Sequence, residues 1–145
     1  MQAGIVWAAG TAGRVVVASA ITPLVQSTIS VIGSLRSNTV NSVTLQDVIT
    51  QHDIPCTLQT VEATCLVLQC DKEPLKTACQ HVVEAVQKIH ALLTRIADMT
   101  AAHEAGYISR WRTLVIDTEI EQLTTLMGVL THRFKLLCEI RSVVE

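Results

Sequence analysis

The hydrophobic residues between positions 72 and 145 repeat in two long stretches, with alternating steps of four and three residues. In the first stretch the repeating positions, called here the first seam, are Leu75, Cys79, Val82, Val86, Ile89, Leu93, Ile96, Thr100 and His103. In the second stretch, the second seam, they are Ile116, Ile120, Leu123, Met127, Leu130, Phe134, Leu137, Arg141 and Val144. Steps that average about 3.5 residues keep one side of an α-helix facing a partner helix. The pattern predicts two long helices, at about 72–104 and 110–144.

A short break at 106–109 separates these two predicted helices. Gly106 suits the end of a helix, and Ser109 suits the first position of the next one. Two helices of similar length joined by a short connection pack side by side in opposite directions. We therefore expect an antiparallel helical hairpin at the centre of an all-α bundle.

Both long helices carry apolar residues beside their seams, where a two-stranded coiled coil would carry Glu and Lys. In the first helix these flanking residues are Ala78, Val83, Ala85, Leu92, Ala97 and Met99. In the last helix they are Leu126, Val129, Leu136, Ile140 and Val143. A wide apolar arc has to face more than one neighbour. Each long helix therefore needs at least two partners, which are the N-terminal segment, a middle helix or other chains.

The first third of the chain is almost free of charge. Only Arg14 and Arg36 are charged before Asp47, and Val15–Leu35 is a run of 21 uncharged residues. A helix that is apolar nearly all round is either buried in a bundle or spans a membrane, and the run has the length of a membrane span. It also contains Pro23, several serines and a thin polar stripe. We favour a buried helix, with a membrane segment and a partly extended arm as alternatives.

Turn-forming and capping residues divide the remainder of the chain. Residues 37–43 are polar and predict a linker, and a short helix is expected over 45–52, before Ile54–Pro55. Apolar steps of four and three predict a helix at about 57–69, with a strand at 63–70 as the less favoured alternative. The predicted organisation is one helical domain over 1–145, made of an apolar segment at 1–36, the linker, and a bundle at 44–145.

Five cysteines do not form a clear metal or disulfide framework. Free thiols packed as small apolar side chains are the favoured interpretation. One disulfide between Cys65 and Cys79 or a metal site are the alternatives, and the C-x2-C spacing typical of zinc sites is absent from the sequence. The cysteines are Cys56, Cys65, Cys70, Cys79 and Cys138.

The net charge and the motifs of the sequence do not indicate nucleic-acid binding or enzymatic activity. The net charge is −2 and aromatic residues make up only 3% of the chain, so a basic, aromatic nucleic-acid surface is not expected. The sequence contains no nucleophile elbow, phosphate-binding loop, dinucleotide fingerprint or H-E-x-x-H motif. We therefore predict no enzyme, no cofactor, no metal site and no small-molecule substrate.

The residues expected to make interactions are aromatic residues and arginines at two places. Trp, Tyr and Arg are enriched at interface hot spots, and Trp and Tyr also at membrane interfaces. The alternative for the tip of the hairpin is that Trp111 only closes the end of the bundle. The candidates are Trp7, Arg14 and Arg36 in the N-terminal third, and Tyr107, Arg110, Trp111 and Arg112 at the tip.

Low charge, at 17%, and broad apolar faces suggest a chain that packs against other proteins. The function that we expect is a structural or interaction subunit of a larger multi-protein assembly, such as a virion shell or an organellar complex, inside a cell or particle. The alternative is a membrane protein anchored by Val15–Leu35, with the helical hairpin as its soluble part.

Overall fold

The computed structural model describes residues 11–36, 43–68, 73–106 and 115–144, with side chains over 20–35, 45–68, 73–106 and 115–143. These residues form five helices and contain no strand. The prediction of an all-α bundle is therefore confirmed, and the strand alternative is wrong for residues 63–67, which are helical. The helices are α1 (Thr11–Arg36), α2 (Val43–Gln51), α3 (Ile54–Val67), α4 (Leu75–Ala105) and α5 (Asp117–Val144).

Helix α4 lies at the centre of the bundle, since it packs against α1 on one side and α5 on the other. Its first seam is buried from Leu75 to Thr100, and His103 at its end is half-buried. Its flanks are also covered: Val83 and Ala85 are fully buried, and Leu92 is nearly so. The wide apolar arc of this helix thus finds the two neighbours that the sequence requires.

Helix α5 packs antiparallel to α4 through its second seam, which is buried from Ile116 to Leu137 except for the half-buried Phe134. Two polar contacts establish the direction. Arg95, late in α4, lies 3.7 Å from the carboxylate of Glu119 at the start of α5. Arg133, in the second half of α5, donates a hydrogen bond of 2.7 Å to the backbone carbonyl of His81, early in α4.

Helix α1 packs against α3 and α4. Its described side chains follow the same steps of four and three, and they bury Ile21, Val25, Thr28, Ile32 and Leu35. The polar side faces outward, with Gln26, Ser30 and Gly33 exposed. Within the described parts of the chain, no helix combines the length and the apolar character that crossing a bilayer requires.

The short helices α2 and α3 meet at a sharp turn. The predicted stop before Ile54–Pro55 is confirmed, because α2 ends at Gln51. However, α3 begins at Ile54, three residues before the predicted start at 57, and it ends at Val67 instead of 69. Pro55 lies in its first turn, where the missing amide costs no hydrogen bond, so the proline starts the second helix as well as ending the first.

The ends of the hairpin also differ from the predicted limits. Helix α4 begins at Leu75, not 72, and continues to Ala105, with Gly106 as its C-cap residue in extended conformation. Helix α5 begins at Asp117 instead of 110, and Val115 and Ile116 before it are not helical. Asp117 and Glu119 in its first turn stabilise the positive end of the helix dipole, which explains the later start. Residues 107–114 lie outside the described residues, as do 37–42 of the linker predicted at 37–43, whereas Val43 already belongs to α2.

Buried polar side chains in the bundle are mostly satisfied by their own helix. The hydroxyl of Thr28 donates to the carbonyl of Leu24, and that of Thr100 donates to the carbonyl of Ile96. The buried hydroxyl oxygen of Thr94 differs, because it has no hydrogen-bond partner among the residues described. A buried polar group without a partner destabilises the folded state.

Thr94→Val should therefore raise the free energy of unfolding, by about 1 kcal/mol, since valine keeps the shape and removes the unsatisfied hydroxyl. Chemical denaturation followed by circular dichroism measures this change. Thr100→Val is the matched control on the same helix, where a hydroxyl with an acceptor is lost, so no gain is expected. Equal effects of the two substitutions would contradict the interpretation.

The turn between α2 and α3 depends on a residue in the left-handed region. Asp53 has φ of 46° and ψ of 53°, a conformation that aspartate and asparagine tolerate better than β-branched residues. Asp53→Val should lower the free energy of unfolding by about 1–2 kcal/mol, whereas Asp53→Asn should leave it nearly unchanged. Thermal unfolding of both variants tests this, and a stable valine variant would show that the turn has another conformation.

Candidate interaction surface

A row of partly uncovered apolar residues runs along one flank of α5, beside its buried seam. We call it the outer stripe, and it repeats with steps of three and four, so its members share one side of the helix. Val143 is 84% exposed and Leu136 is 42% exposed, while the other members are half-buried. The outer stripe consists of Leu126, Val129, Arg133, Leu136, Ile140 and Val143.

The outer stripe borders a groove between α4 and α5. Near the start of α5 the groove opens into a hollow of about 490 Å³, with Leu92 and Leu126 among its lining residues. Near the other end of the hairpin there is a second hollow of about 200 Å³, lined by residues that include Ala78, Leu136 and Ile140. An apolar groove between two helices is a surface of the kind into which a partner helix packs.

The charges at the groove differ between its two sides and along its length. Beside the larger hollow, the α4 side carries the exposed Lys88 and the α5 side carries the exposed Glu121. Arg95 continues the basic row on α4 with a side chain that is 65% exposed, although it also contacts Glu119. At the smaller hollow the α5 side carries the basic Arg133, and Glu84 of α4 lines neither hollow.

Arg133 is the charged member of the otherwise apolar outer stripe. Its guanidinium reaches across the groove to the carbonyl of His81, so the charged group is held against α4. The methylene groups of such an arginine continue the apolar surface, while the head group stays bound to a polar atom. His81 and Arg133 both line the smaller hollow, so the bond crosses the groove at that hollow.

On the opposite side of α4, a hydrogen bond of 3.0 Å joins the hydroxyl of Ser27 in α1 to the imidazole of His90. His90 is half-buried at the edge of the α1–α4 contact. His90 follows the buried seam residue Ile89, and Ser27 gives it a polar partner at this boundary. It therefore serves the packing of two helices.

None of the residues expected to make interactions has a described side chain. Trp7 lies outside the described residues, as does the whole tip. Arg14 and Arg36 lie within the backbone of α1, but their side chains are not among those described. These predictions stay predictions, and no site is assembled from them. The tip residues concerned are Tyr107, Arg110, Trp111 and Arg112.

The cysteines divide into two kinds. Cys65 in α3 and Cys79 in α4 are buried thiols, as their places in the apolar pattern predicted. Cys56 and Cys138 are exposed thiols, which the interpretation as core residues did not predict, and Cys70 lies outside the described residues. Over the described ranges, no three side chains of His, Cys, Asp and Glu come together as metal ligands.

The outer stripe was only partly visible in the sequence. Its apolar members were recognised as flanking residues that need a neighbour, together with the equivalent residues of α4. Their spacing does not say which helix of the hairpin receives its second neighbour inside the bundle. The structure shows that α4 packs extensively against α1 as well as α5, whereas α5 also contacts the short helix α2 and keeps one flank partly open.

Comparisons of this chain with protein families, curated proteins and solved structures find no match.

Adjacent leucines on α5 allow a direct test of the outer stripe. Leu137 is fully buried, so Leu137→Ala should lower the free energy of unfolding by about 2–5 kcal/mol. Leu136 is 42% exposed, so Leu136→Gln should change it by no more than about 0.5 kcal/mol in the isolated chain. Urea unfolding at low protein concentration measures both values. A large loss for Leu136→Gln under these conditions would show that the stripe belongs to the core.

Proposed function

We propose that this protein is a non-enzymatic structural or interaction subunit that packs into a larger multi-protein assembly through the outer stripe of α5. A virion shell or an organellar complex is the type of assembly that such a helical subunit suits. The observation that carries the proposal is the unequal covering of the two long helices. The flanks of α4 are mostly buried, whereas Leu136 and Val143 on α5 are exposed.

The regular spacing of the outer stripe suits a helical partner. From Leu126 to Val143 the stripe extends over about 25 Å, at 1.5 Å per residue. Scattered apolar residues are common on protein surfaces, but a contiguous row beside a groove is typical of a site where another protein binds. A second helix laid along the row would bury it with the same spacing that packs α4 against α5.

Covering the exposed side chains of the outer stripe would contribute a useful part of a binding free energy. Fully burying a leucine or valine side chain contributes about 1.5–3 kcal/mol. With Leu136 at 42% and Val143 at 84% exposed, covering these two residues alone would contribute about 2–4 kcal/mol before the entropic cost of association. The half-buried Leu126, Val129 and Ile140 would add to this.

The proposal can be tested by placing a photo-crosslinking amino acid at Val129 or at Leu136 in the full chain, within the cells or particles that contain the protein. We expect specific crosslinks from both positions to one or a few proteins, identified by mass spectrometry. Thr131 is the matched control, because it is an exposed residue of the same helix that lies about 200° around the axis from Val129.

Two results would contradict the proposal. One is the same set of crosslinks from Thr131 as from the outer stripe, which would indicate random collision. The other is an absence of crosslinks from Val129 and Leu136 while the protein from that source sediments as a monomer.

A further inference from the structure

We draw no further inference here: the strongest candidate, the partly open groove between α4 and α5 with its hollows at Leu92 and Leu136, is an unpartnered apolar surface, and nothing in the described part of the chain shows what covers it.

Discussion

The bundle depends on the burial of α4 on two sides. This helix carries apolar residues over its seam and its flanks, and it packs against α1 through one flank and against α5 through the other. A helix with such a wide apolar arc is not stable with a single neighbour, because the second flank would remain in water. The N-terminal helix is therefore needed in the core, where it covers one flank of α4.

Polar contacts at the edges of these helix pairs define how they are aligned. Arg95 and Glu119 meet at one end of the hairpin, and Arg133 reaches the carbonyl of His81 toward the other. An ion pair at 3.7 Å whose arginine is largely exposed to solvent contributes little free energy, so the apolar seams provide most of the stability. The polar contacts fix the axial alignment of α4 against α5. That alignment determines which charged residues lie at the same height along the groove between the two helices.

The two long helices look equivalent in the sequence and are not equivalent in the bundle. Val83 and Leu92 on α4 are buried, whereas Leu136 and Val143 on α5 occupy comparable flanking positions and remain exposed. The proposed packing into an assembly follows from that difference. The candidate residues chosen by type, such as Trp111 and Arg110, were chosen on hot-spot frequencies, and type alone carries no information about which surface the fold leaves open. The apolar flanks of α5 carry additional information, because their spacing shows that they share one side of a helix.

The sequence by itself determined that this protein is helical, where most of its helices lie, and which residues of each form the seam. These properties depend on periodicity, capping and proline, which act over a few neighbouring residues. The helix starts predicted at 57 and 110 were wrong, and the helices begin at Ile54 and Asp117, since a proline both ends and starts helices and a helix start depends on its local charges. Only the tertiary structure decided that α1 covers the far flank of α4 while the outer stripe of α5 stays open. That choice depends on contacts between residues far apart in the chain, such as Ser27 with His90, and no local pattern specifies them.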